Sequence, residues 1–351
     1  MVDWFYVALG LVGLLHLLLG CCTFYQIILL ISFLAFLRYI YLPADCDIVL
    51  WLYERLGQPV ESLKGRVVWI TGASSGIGEA LAVRLAQAGV RIAISARSVE
   101  NLNKVKQRCI DTGGVQENDV LVLPLDMTQY DQHQAAFDAV IRHYGELDIL
   151  VSNAGRTQRG RWEMIELDVD RELFNLNVFS LISLARIVSK YFLEKGQGHF
   201  AVTSSTAGKL GVPMSAAYTA SKHALQGYFE CLRLEKTGFN LAITVVCPGP
   251  VESNLLKASF TEKLGEHVKK DRIGKRLSAE RCAHLFAVSI ANKLSEVWIA
   301  DQPVLTIMYL FQYFPFLISF GLRFLPLSYI MKLRDGRDDA VQISGVQKKQ
   351  Q

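Results

Sequence analysis

Arg66-Val67-Val68-Trp69-Ile70-Thr71, followed by Gly72-Ala73-Ser74-Ser75-Gly76-Ile77-Gly78, is the stretch on which the fold turns. The first six residues are a continuous apolar, β-branched run, the composition of a strand buried on both faces. The next seven form a glycine turn spaced Gly-x3-Gly-x-Gly. An amphipathic helix is expected from Glu79 to Ala88. Strand, glycine turn and helix in this order open a Rossmann-type unit.

Such a turn suits a dinucleotide. Glycines let the backbone approach a pyrophosphate, and the helix N-terminus supplies N–H donors and the positive end of a dipole. Gly72, Ser74, Ser75, Gly76, Ile77 and Gly78 are therefore candidate cofactor-binding residues. The second strand, Val90 to Ser95, runs into Ala96-Arg97. A site selecting NAD would place a carboxylate here for the ribose 2′-hydroxyl. This chain offers Arg97 instead, which suits a 2′-phosphate, so the expected cofactor is NADP(H).

Beyond Arg97 the pattern alternates. A polar helix covers about Val99–Thr112, a strand Asp119–Leu125 leads to Asp126, and a helix spans Gln132–Tyr144. The strand Leu147–Val151 runs into Ser152-Asn153-Ala154-Gly155, and a long helix, Asp170–Lys195, carries Asn177. Further strands at His199–Ser205 and Leu241–Cys247 flank a helix with Tyr218. Alternation of this kind predicts an α/β fold: one doubly wound parallel sheet, of seven strands, with helices on both faces.

The chemistry points to Tyr218-Thr219-Ala220-Ser221-Lys222. Residues four apart share a helix face, so Tyr218 and Lys222 point the same way. A lysine ammonium favours the phenolate, which fits the phenol for acid/base work. Ser205, thirteen residues upstream, is placed to hydrogen-bond the same substrate oxygen. A second Tyr-x3-Lys, Tyr191 to Lys195, has Val178 at the matching upstream position and no hydroxyl, which separates the two.

From about Lys64 to Ala300 the chain resembles the short-chain dehydrogenase/reductases. The carriers are Thr71-Gly72-x3-Gly76-x-Gly78, Asp126, Asn153-Ala154-Gly155, Asn177, Ser205, Tyr218-x3-Lys222 and Pro248-Gly249. The resemblance implies Tyr218 as acid/base, Lys222 as the group that lowers its pKa and holds the nicotinamide ribose, and Ser205 as substrate clamp. Ser204 is the alternative to Ser205, which the spacing favours. Asn177 resembles the residue that holds a water in a proton relay. Asp126 resembles an adenine contact, Asn153 a contact near the ribose, and Val251 and Ser253 contacts to the nicotinamide amide. Many members that prefer NADP carry a basic residue where this chain has Ser75, so cofactor choice leans on Arg97. Val68–Gly76, Ser221–Leu225 and Glu296–Ile299 resemble a microsomal member, which implies carbonyl reduction of retinoids and steroids. The family also implies a homodimer through the helices of Asn177 and Tyr218.

The two ends of the chain have a different character. Hydrophobic residues make up 51% of the sequence, and the excess lies at the termini. Trp4 to Leu37 carries no charge, longer than the roughly 20 residues of a bilayer span. It reads as a tilted span or, with a break near Gly20–Thr23, a re-entrant pair. Arg38, Arg55, Lys64 and Arg66 follow it, which places the next domain in the cytosol. The terminal Lys348-Lys349-Gln350-Gln351 resembles a dilysine retrieval signal of endoplasmic reticulum membrane proteins. The expected organisation is a membrane anchor (1–42), linker helix (43–63), catalytic domain (64–300), apolar membrane-associating helix pair (301–331) and polar tail (332–351). A lipophilic substrate then enters from the bilayer.

The +4 net charge, without a long basic run, speaks against nucleic acid as a partner. Seven scattered cysteines show no metal-ligand spacing and no disulfide framework. The intact Asn177, Ser205, Tyr218 and Lys222 set speaks against an idle scaffold, and the apolar ends against lyase or epimerase chemistry on nucleotide sugars. An oxidising retinol or hydroxysteroid dehydrogenase is the other enzymatic reading. Reduction is favoured in a cytosol rich in NADPH.

Overall fold

The computed structural model describes residues 24–32, 34, 37–252, 259–265 and 276–326. Ser253, the polar tail and most of the N-terminal apolar run lie outside them. Two compact units are present, Met1–Ala44 and Asp45–Gln351. In the first, residues 24–32 are helical and their side chains are exposed, Phe24, Tyr25 and Leu29 among them.

The second unit is built on one sheet of seven parallel strands: β1 (Val67–Thr71), β2 (Arg91–Ala96), β3 (Val120–Pro124), β4 (Ile149–Ser152), β5 (Gly198–Thr203), β6 (Leu241–Pro248) and β7 (Glu296–Ile299). Their order is β3-β2-β1-β4-β5-β6-β7, with every pairing parallel. The order reverses between β1 and β4, and in doubly wound sheets the ligand crevice lies beyond the carboxyl ends at that switch point. All five residues of β1 are buried, and Trp69 satisfies its indole N–H on Ser95 Oγ at 2.8 Å.

The helices are α1 (Ile48–Leu56), α2 (Gly76–Gln87), α3 (Val99–Asp111), α4 (Gln132–Tyr144), α5 (Leu167–Phe174), α6 (Ser180–Lys195), α7 (Ala216–Glu235), α8 (Ala279–Ala291), α9 (Val304–Tyr313) and α10 (Pro315–Gly321). The sequence expected one helix from Asp170 to Lys195. The structure starts it at Leu167 and inserts a π-helical turn, Asn175–Phe179, between α5 and α6. The 29-residue run Leu167–Lys195 is long and apolar enough for a bilayer, but half of its apolar window is buried, so it is a core helix. Strand β5 ends at Thr203, two residues short of expectation, because Ser205 caps a 3₁₀ turn, Thr206–Gly208.

The second Tyr-x3-Lys is consumed by packing. Lys195 Nζ bonds Glu146 Oε2 (3.0 Å), Asp148 Oδ1 (2.9 Å) and Leu147 O (3.1 Å), and Tyr191 Oη accepts from Leu147 N (3.3 Å).

Helix α1 is stitched to the far edge of the sheet. Asp47 caps it, with Oδ1 accepting from Val49 N and Leu50 N, while Oδ2 accepts from Trp298 N of β7 at 2.7 Å. Burial pushes the Asp47 carboxyl above the usual range, against these three N–H donors. Arg281 of α8 pairs with both Asp45 (2.7 Å) and Glu54. The apolar segment after β7 forms the expected pair of helices, α9 and α10, bent by 114° at Phe314-Pro315. Leu305 and Met308 of α9 are buried, while Phe316, Leu317 and Phe320 of α10 are exposed.

Arg281→Ala removes several charge-assisted bonds at once and leaves two carboxylates facing each other. We expect a loss of about 2 kcal/mol in chemical denaturation. Limited proteolysis should then cut first between residues 45 and 60, the segment that Arg281 holds down.

Candidate active site

A cleft of about 790 Å³ opens at the carboxyl ends of the strands. From the β1–β3 half come Gly72, Ser74, Ser75, Gly76 and Ile77 of the turn, with Arg97 and Asp126. From the β4–β6 half come Asn153, Ser205, Tyr218, Lys222 and Val251. Gly78 and Asn177 stand behind this lining.

The turn is shaped by close approach. Helix α2 begins at Gly76, three residues before the expected Glu79, so two glycines lie inside its first turn. Gly72 and Gly76 have φ of +67° and +61°, values glycine adopts without strain. At Gly78 a Cβ would lie 2.4 Å from Gly72 O and 2.6 Å from Asn153 Nδ2. Gly78 therefore serves the packing of helix on turn. Asn153 Nδ2 donates to Thr71 O (3.2 Å) and Gly72 O (3.1 Å), and its Oδ1 accepts from Thr203 Oγ1 (3.1 Å). It pins β1 to β5 across β4. Ser75, the N-cap of α2, makes no side-chain capping bond, so the first N–H groups face the cleft uncapped. An uncapped helix N-terminus over a glycine turn fits the phosphates of a dinucleotide.

Asn177 sits in the π turn and is fully buried. Its Oδ1 accepts from Arg156 N (2.8 Å), and its Nδ2 donates to Arg156 O (2.9 Å) and Ser221 Oγ (3.0 Å). Ser221 Oγ in turn donates to Tyr218 O at 2.8 Å. One amide thus links the loop after β4 to helix α7.

Tyr218 and Lys222 occupy adjacent turns of α7, with Lys222 Nζ 5.8 Å from the Tyr218 ring centroid. Lys222 is 4% exposed and donates to Thr203 O at 2.8 Å. Burial pulls its ammonium down to about 8, with Cys247 working weakly the other way. Ser204 Oγ donates to Lys222 O (3.1 Å) and accepts from Gln226 Nε2 (3.3 Å), so it is committed to holding α7. Ser205 Oγ donates to Pro248 O (3.3 Å) and accepts from Ala207 N (3.1 Å) at the end of β6. Both serines line the cleft, Ser204 on the side of α7 and Ser205 at the end of β6.

Asp126 Oδ1 accepts from Thr128 N (3.0 Å) and Oγ1 (2.8 Å). Burial raises its carboxyl, but the two Thr128 bonds and the charges of Arg97 and Arg156 outweigh it, holding it below the usual range. Arg97 is exposed and makes no hydrogen bond or ion pair among the described residues. Sequence reasoning missed Arg156, Glu172 and Phe260, which also line the cleft. The position of Arg156, directly after Asn153-Ala154-Gly155, is the one signal that marked it.

With this geometry in view, the comparisons are specific. The family described as short chain dehydrogenase matches residues 66–264. Dehydrogenase/reductase SDR family member 7 of Homo sapiens is 41% identical over 308 residues, covering 86% of this chain and 88% of that protein. Its Mus musculus counterpart is 42% identical over 305 residues, with the same coverage. A Burkholderia phymatum short chain dehydrogenase/reductase solved in complex with NAD superposes with a TM-score of 0.64 at 23% identity, over 73% of this chain and 96% of that one. Strand order, glycine turn and the Tyr218–Lys222 helix agree with what the matches say: this chain is a member of the short-chain dehydrogenase/reductase family.

Proposed function

We propose that this oxidoreductase is a membrane-associated, NADP(H)-dependent reductase of lipophilic carbonyl compounds, of the retinoid or steroid type. The carrying observation is that one cleft joins the glycine turn and Arg97 to Ser205, Tyr218 and Lys222. A nicotinamide dinucleotide, when bound, supplies the hydride. The chain's own residues handle the oxygen. Tyr218 donates its phenolic proton to the carbonyl oxygen as charge develops there. The Lys222 ammonium favours the phenolate left behind. Ser205 hydrogen-bonds the same oxygen and fixes its direction. Both amide hydrogens of Asn177 are already committed, so the part of its side chain in proton relay is to position α7.

NADP(H) preference rests on Arg97 standing where a carboxylate would select NAD. Membrane association is supported by the uncharged run Trp4–Leu37 and by α10, where Phe316 is 78% exposed. A short, exposed helix rich in aromatic and apolar side chains favours contact with the bilayer interface. The basic residues after the first run and the lysines near the terminus favour a cytosolic domain on the endoplasmic reticulum. Pairing through α6 and α7 would give a homodimer of the kind the family resemblance implies.

Microsomes carrying the protein should consume NADPH when offered retinal, ketosteroids or aromatic carbonyls. Tyr218→Phe should lower kcat by about 10²-fold or more, the usual weight of a positioned acid. Unchanged turnover in that variant would remove Tyr218 from the chemistry. Arg97→Glu should invert the NADPH-to-NADH ratio of kcat/KM, and an unmoved ratio would overturn the cofactor assignment.

Lys222 also sets a pH dependence. Its folded value of about 8 lies below the ordinary 10.5, so between these the unfolded chain binds more protons. Stability contributed at this site therefore rises with pH across that window. Compared with Lys222→Met, the wild-type protein should gain stability from pH 8 to 10, measured by chemical denaturation at each pH. A flat difference would contradict the buried cation.

A further inference from the structure

A half-buried guanidinium without a partner lies in the same cleft. Arg156 follows Gly155 beyond the end of β4, and its main chain is held on both sides by Asn177. Its side chain makes no hydrogen bond and no ion pair among the described residues. Its guanidinium carbon stands over a ring, 5.2 Å from the centroid of Phe260. The charged groups within electrostatic reach are Arg97, Asp126 and Glu172, and neither carboxylate forms an ion pair with it. Arg97 is itself unpaired and lines the cleft.

Two free guanidiniums at one cleft are an unfavourable arrangement for the empty protein. A cation partly removed from water costs free energy unless an opposite charge meets it. Here burial, and then the repulsion of Arg97, holds the Arg156 guanidinium below its usual range. An arriving anion recovers that cost, and planar guanidinium groups suit phosphate in particular. The same cleft is lined by the uncapped N-terminus of α2, already suited to phosphates.

Resting on the dinucleotide reading above, we propose that Arg156 is a second cofactor-binding arginine, which with Arg97 closes on a phosphate of the dinucleotide. Arg156 thereby supplies the cation that Ser75 does not. The phosphate is either the 2′-phosphate or the pyrophosphate, and ligand fragments tell them apart. Because Arg156 stacks on Phe260, its engagement also couples the cofactor to the segment 259–265 beside the cleft.

The test is equilibrium binding to the full-length protein in detergent micelles, followed by fluorescence, with NADPH, NADH, 2′-AMP and 5′-ADP as separate probes. Arg156→Gln and Arg156→Lys keep the main-chain bonds to Asn177, and the melting temperature of each cofactor-free variant checks its fold. Arg156→Gln should weaken NADPH binding about tenfold or more, as loss of a charged hydrogen bond does, and Arg156→Lys should restore part of it. A loss confined to NADPH and 2′-AMP assigns the 2′-phosphate; a loss shared by NADPH, NADH and 5′-ADP assigns the pyrophosphate. Unchanged affinity for all four probes in a folded Arg156→Gln overturns the proposal, and a raised KM for the carbonyl substrate alone would move Arg156 to the substrate. If the wild-type protein binds none of the four, the dinucleotide reading falls and takes the proposal with it. That result is distinct, because failure of Arg156 alone leaves the wild-type titration intact.

Discussion

Three hydrogen bonds of one buried amide, that of Asn177, hold the reaction centre together. The loop after β4 and the helix α7 come from distant parts of the chain; Ser215, the N-cap of α7, bonds Gln158 O at the rim, and the Asn177 amide ties the two together deeper in. A π turn is a local fault in helical geometry, and such faults recur at functional sites. Here the turn places an amide within reach of both the Arg156 main chain and Ser221. A Cβ at Gly155 would lie 3.1 Å from Asn177 Oδ1 and 3.6 Å from Lys222 Nζ, so the loop is pressed closely against both.

Against that frame, the fold carries a cation that it would be more stable without. Lys222 is buried, held by one carbonyl, and displaced from its ordinary pKa by burial. Groups perturbed in this way cluster where chemistry needs them. The contrast with Lys195 is instructive. That lysine has the same spacing to a tyrosine but sits between two carboxylates, which raise its pKa against the effect of burial. One pair is satisfied by its surroundings; the other is left with a charge to offer a ligand.

Much of this was legible in the residues, and the reasons differ by element. The alternation of apolar strands and amphipathic helices placed the first six strands to within a few residues, because a parallel sheet buried on both faces leaves a continuous hydrophobic trace, while the short β7 was counted but not located. The start of α2 was misplaced because glycine propensity argues against a helix where the packing of Gly78 on Gly72 requires one. The π turn left no trace, since its cause is the tertiary demand on Asn177. Arg156 was marked only by its position directly after Asn153-Ala154-Gly155, and by no pattern. A lone arginine in a polar loop has no pattern, and its meaning lies in partners that it lacks.

Strand β7 is the edge of the sheet, and an edge strand is a template for pairing with another chain. Here it is covered from both ends of the polypeptide. Cys46 bridges Ile299, Asp47 takes the N–H of Trp298, and Tyr309 of α9 meets Ile48 while its ring contacts that of Trp298. The residues just after the N-terminal apolar run thus act as a selvedge that keeps the sheet from unravelling into intermolecular pairing. A truncation that removes that run has to stop before Asp45, or it bares an adhesive edge.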